Sequence, residues 1–132
     1  MVHESVHLGV SIERSADAVY DFVTDPANLS TWAAGLAASP LRQVDGAWVA
    51  DSPLGRVVVS FVAPNDLGVA DHDVTLPSGD TVTNPMRVVA NGDGCDVVFS
   101  VRRRPEMTDA DFAADVDAVS RDLAALRSVM ES

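Results

Sequence analysis

The chain has 132 residues, 47% hydrophobic and 22% charged, a composition that suits one globular domain with its own core and not a disordered segment. Its formal net charge is -11, and all nine basic residues are arginines. Such a balance repels phosphate backbones and anionic lipid surfaces, so nucleic acid and membranes are excluded as expected partners.

The first ten residues, MVHESVHLGV, carry neither a basic start nor an apolar core, so no signal peptide is expected. No stretch reaches the roughly 18 continuous apolar residues of a membrane span. The single cysteine, Cys95, cannot form an internal disulfide and fits a reducing compartment. Together these features predict a cytoplasmic protein with a single domain over residues 1–132. From Val6 the sequence alternates: Val6, Leu8, Val10 and Ile12 fall on one face, His7, Gly9 and Ser11 on the other. That is a half-buried strand, with His3 and His7 on its solvent side.

Ser15 is placed to cap a short helix with the stripe Val19, Phe22 and Val23, and Asp17 in its first turn suits the helix dipole. Asp25-Pro26 restarts the chain as cap and first helical residue, leading to Leu29, Trp32 and Leu36 on one side of a second short helix. From Leu41 the pattern becomes a meander: VDGA, DSPLG, APNDLG, LPSGD and NGDG punctuate it at short intervals. After RRRPEM a long helix closes the chain. Thr108 and Asp111 form its capping box, and Phe112, Val116, Val119, Leu123, Leu126 and Met130 form a continuous apolar stripe. That stripe needs a partner, and the sheet is the only large surface available.

Loop lengths set which side chains share a face of the meander. Pro77-Ser78-Gly79 reads as a three-residue hairpin loop, placing Val74 opposite Val82 and His72 opposite Asn84. Ala70, His72, Val74, Val82, Asn84, Met86 and Val88 then share a mostly apolar, inward face. Asn91–Gly94, read as a four-residue loop, sets Val88 opposite Val97 and Met86 opposite Phe99. A four-residue loop over Pro64–Leu67 would set Phe61 opposite Ala70 and Val59 opposite His72. In this register Asp71 and Asp73 point out near Arg87, and His72 points in. The three adjacent residues cannot converge on one metal, and no metal or cofactor is expected.

The order strand, two short helices, six antiparallel strands and a long helix resembles the helix-grip fold of the START-like (SRPBCC) superfamily. This group includes polyketide cyclase/dehydratase-like proteins, pollen-allergen-type carriers and coenzyme Q-binding proteins. The resemblance spans essentially the whole chain and is most specific in SIERSADAVYDFVTDPANLSTWAAGL, with a further match in the closing helix. It implies an α+β architecture in which a curved antiparallel sheet of about seven strands wraps the C-terminal helix. It also implies a hydrophobic cavity between the two, lined by Phe61, His72, Asn84, Met86 and Phe99, with Trp32 and Tyr20 near its mouth. The expected partner is a small hydrophobic molecule oriented by His72 and Asn84; a homodimer is compatible with the sequence. Two alternatives stand beside it. One is a cyclase or dehydratase-type enzyme with His72 as acid or base and Asn84 and Tyr20 polarising a substrate oxygen. The other is a ligand-free interaction module.

Overall fold

The structure is a computed structural model that describes residues 1–132. Strand β1 (Ser5–Ile12) leads into α1 (Ala16–Val23), whose cap Ser15 accepts from the Ala18 N–H. A single 3-10 turn over Pro26–Asn28 follows, started by Asp25 accepting from the Ala27 N–H, and runs into the short helix α2 (Leu29–Trp32). Seven strands come next: β2 (Arg42–Val44), β3 (Ala47–Ser52), β4 (Gly55–Phe61), β5 (His72–Thr75), β6 (Thr81–Asn84), β7 (Met86–Asn91) and β8 (Gly94–Arg102). The chain ends in α3 (Asp109–Glu131). Its capping box is complete, with Thr108 Oγ1 accepting from the Asp111 N–H and Asp111 Oδ2 accepting from the Thr108 N–H.

All strand pairs are antiparallel, in one group ordered β1-β8-β7 and another ordered β2-β3-β4-β5-β6. Eight strands replace the seven expected because the run from Val82 to Val88 is interrupted at Pro85. This residue accepts from the Ser100 N–H but has no N–H to return, which ends the ladder locally. The two groups are nonetheless stitched together. Val69 bridges Arg87, the Ala70 N–H donates to Met86 O, and the Val88 N–H donates to Gly68 O. Gly68 has φ +71, and a Cβ there would collide with the Val88 carbonyl, so this close approach requires glycine.

The hairpin from β5 to β6 has the predicted register: Leu76 and Asp80 bracket Pro77-Ser78-Gly79, Val74 pairs with Val82, and His72 pairs with Asn84. Strands β7 and β8 pair Met86 with Phe99 and Val88 with Val97 as expected, around a turn tightened to Gly92-Asp93 between the paired Asn91 and Gly94. The β4–β5 connection differs. Phe61 pairs with His72 and Val59 with Val74, two residues beyond the predicted partners Ala70 and His72. The longer loop is organised by Asn65. Its side-chain oxygen accepts from the Leu67 and Val69 N–H groups, and its amide donates to Val69 O and Ala63 O. Because the slip is two residues, the inner face keeps its membership.

Helix α3 lies across β1 and β8 and against α2. Phe112, Leu123, Leu126 and Met130 are buried, while Val116 and Val119 are partly buried against the same core. At its far end Glu131 Oε2 accepts from the Glu13 N–H, and Arg14 donates to Met130 O, fixing the helix to the β1–α1 corner. No helix is long and apolar enough to cross a membrane.

Candidate functional site

A cavity of about 370 Å³ opens between the β5–β6 hairpin, the end of β8, α2 and α3. Its walls are largely apolar: Trp32, Ala33, Leu36, Val74, Leu76, Val82, Phe99, Val101 and Val119 contribute to them. Among the residues predicted for a ligand site, Trp32, His72, Asn84 and Phe99 meet on this one cavity. The other three do not. Met86 is fully buried beside Phe99 in the ladder. Phe61 and Tyr20 line a second, more open hollow of about 610 Å³ together with Pro26 and Trp48, and the Tyr20 hydroxyl accepts from the Asn65 N–H and side-chain amide. Tyr20 thus anchors the long β4–β5 loop instead of standing at the cavity mouth.

His72 is 3% exposed, held between Phe61 (ring centroids 4.9 Å apart) and Phe99 (5.9 Å). Its Nδ1 lies 3.1 Å from the Ala70 carbonyl oxygen. A carbonyl can only accept, so Nδ1 carries the proton and Nε2 keeps its lone pair. Nε2 is 3.4 Å from the Asn84 amide nitrogen, a long bond that leaves much of its acceptor capacity free. Burial lowers the His72 pKa; the Ala70 carbonyl and the nearby Asp71 and Asp73 charges pull it back only in part. The imidazole is therefore neutral at physiological pH.

The neighbouring aspartates have another role. Asp71 receives Arg87 bidentately, Nη2 at 2.8 Å and Nε at 3.1 Å, and also accepts from the Met86 N–H at 2.8 Å. These bonds, the Arg87 bond foremost, hold its pKa below the usual carboxylate range. In a regular ladder the Met86 N–H would have gone to Ala70 O, which instead takes His72 Nδ1–H. Asp71 and His72 thus complete the junction beside Pro85 with side-chain bonds. Asp73 is exposed and accepts from the Thr83 hydroxyl.

Two acidic cavity residues had no place among the predicted site residues. Asp115 and Asp122 project from α3 into the cavity wall, and burial raises the pKa of both. Asp122 is pushed up to about 6, although the Gly35 and Ala34 N–H groups and Arg121 favour its ionised form. Their spacing was a usable signal: seven residues is two helical turns, which places both on the face that carries Phe112 and Val119. His3 and Arg102–Pro105 complete the rim. No group of three or more His, Cys, Asp or Glu side chains is arranged to hold a metal ion.

Residues 3–131 match the family described as polyketide cyclase / dehydrase and lipid transport. The chain belongs to that family. Solved structures agree on the fold. A START superfamily protein from Mycobacterium smegmatis superposes with TM-score 0.70 at 16% identity, over 98% of this chain and 97% of that one. An uncharacterised protein from Bacillus thuringiensis gives TM-score 0.75 at 13% identity, covering 96% and 98% respectively. DynU16, encoded in the dynemicin biosynthetic locus, gives TM-score 0.70 at 14% identity over 96% of this chain and 47% of its own length. No curated protein matches the chain in sequence. Family membership supports a hydrophobic-ligand-binding fold and specifies neither a ligand nor a reaction.

Proposed function

We propose that the protein binds a small, largely apolar molecule in the cavity between sheet and α3, with His72 and Asn84 orienting its polar end. The observation that carries this reading is the cavity itself. At about 370 Å³ it falls within the size range of small-molecule sites, and its apolar walls meet a few convergent polar groups. A ligand hydroxyl can replace the long His72–Asn84 bond by donating to the Nε2 lone pair and accepting from the Asn84 amide.

Native mass spectrometry of freshly purified protein tests the proposal through co-purification of a small apolar molecule. Asn84→Ala then probes orientation. Affinity should fall roughly tenfold to a hundredfold, the usual cost of an unmade polar contact, while stability changes by less than about 1 kcal/mol. A stability loss with unchanged affinity would mean that His72 and Asn84 serve only each other, as in a ligand-free module.

The neutral imidazole with Nε2 unprotonated also favours a second reading, a cyclase or dehydratase-type reaction with His72 as general base. Turnover lost in His72→Asn with binding retained would distinguish catalysis from binding, because a proton acceptor acts mainly in the transition state.

A further inference from the structure

We infer that the cavity selects apolar molecules whose polar groups donate hydrogen bonds, hydroxyl or ammonium, and rejects carboxylate-, sulfate- or phosphate-headed ligands, with Asp122 as the discriminating residue. The inference rests on the binding function proposed above and adds the ligand class.

The acceptors of the polar lining are Asp115, Asp122 and His72, and they stand beside Asn84 and the arginines Arg102, Arg103 and Arg104. Asp115 and Asp122 enter the wall from α3, and neither forms an ion pair. His72 offers the Nε2 lone pair. Each of these arginines already has a partner, and Arg104 offsets the burial of Asp115 only in part. Arg103 is paired with Glu4 at 3.2 Å and Asp109 at 2.7 Å, and Arg104 with Glu106 at 2.8 Å. Arg102 donates to the Ser5 hydroxyl on the outside of β8. An anionic head in this cavity would face two carboxylates across a poorly solvated space, where like charges repel strongly. The net charge of -11 adds a long-range field of the same sign.

A second, independent observation points to a ligand. Trp32 belongs to the same wall and is 4% exposed, and its Nε1–H is a buried side-chain donor without a partner. Buried polar atoms are ordinarily paired, so this N–H marks a place for an acceptor supplied from outside the chain. A ligand hydroxyl meets both demands, since it donates to a carboxylate and accepts from an indole N–H. An ammonium satisfies the carboxylates and is attracted to the indole face, while the indole N–H then needs its acceptor from elsewhere on the ligand.

The test compares decan-1-ol, decylamine and decanoate as competitors of the neutral fluorophore N-phenyl-1-naphthylamine, on wild type and on Asp122→Asn at about pH 7.5, where all carboxylates in water are ionised. The alcohol and the amine should each bind wild type at least about tenfold more tightly than decanoate, the factor expected of one well-placed like-charge contact. Asp122→Asn should shrink the amine-to-decanoate ratio by about tenfold and move the alcohol by less than about threefold. The wild-type comparison stands whether or not the variant folds. Decanoate binding as well as the other two, or a ratio untouched by Asp122→Asn, overturns the selectivity and leaves the binding reading in place. If neither the fluorophore nor any alkyl ligand binds wild type, both fall.

Discussion

Burial works against the charge on Asp122, and the neighbouring N–H groups of Gly35 and Ala34 recover only part of the loss. Its carboxyl titrates near 6 in the folded chain against 3.8 ordinarily, so the folded state holds the proton more tightly than the unfolded one. The resulting destabilisation is fully present above pH 6 and disappears as pH falls below 3.8. Asp122→Asn should therefore melt higher than wild type at neutral pH and match it in acid. Melting curves across that range check this; an Asn variant less stable at neutral pH would show that the carboxylate is a structural asset. Asp71 behaves in the opposite sense. Its pKa is lowered, by Arg87 first, so its contribution is present above 3.8 and is lost as pH falls through the depressed folded value. Asp71→Ala should cost about 1–3 kcal/mol at neutral pH, the usual loss for a hydrogen bond to a charged group with its partner left unpaired, and less in acid. The directions of Asp71, His72 and Asp73 were legible from strand alternation alone. What alternation could not reveal is that Asp71 and His72 substitute for ladder bonds beside Pro85, because that depends on a proline lying opposite in space.

At the scale of elements, the closing helix was the most readable part of the sequence, since its capping box and its stripe agree. Leu123 is buried at the contact between α3 and the sheet, and Leu123→Ala should cost about 2–5 kcal/mol, measured by denaturant unfolding. A loss under about half a kcal/mol would mean that the helix is not part of the core. The same apolar stripe concealed Asp115 and Asp122, because they lie among Phe112, Val119 and Leu123 on that face. The β4–β5 loop was the least readable element. Its length depends on the side-chain bonds of Asn65 and on Gly68 crossing beneath Val88, and turn chemistry does not encode either. Gly68→Ala should cost more than about 1 kcal/mol, because both the positive φ and the contact with the Val88 carbonyl oppose a side chain. Tolerance of alanine there would mean that the two strand groups are not joined at this point.

For the molecule as a whole, architecture followed from the order of elements, while the lining of the cavity depended on how the sheet, α2 and α3 come together. The inner face predicted from alternation is real, yet the chain divides it between two hollows, and Phe61 and Tyr20 fall on the other one. A ligand held only by the folded state should stabilise the whole chain by about 2.7 kcal/mol at a hundredfold excess over Kd. Thermal melts with and without the alcohol check this, and a melting temperature indifferent to saturating ligand would contradict binding in the cavity. The two chain ends meet this site very differently. His3 stands on the cavity rim, and β1 then carries the chain eight residues away, roughly 26 Å at the usual rise per residue, to the corner where Glu13 meets Glu131. Bulk attached at His3 would therefore sit against the cavity, whereas bulk attached at Glu131 would sit by the opposite end of β1.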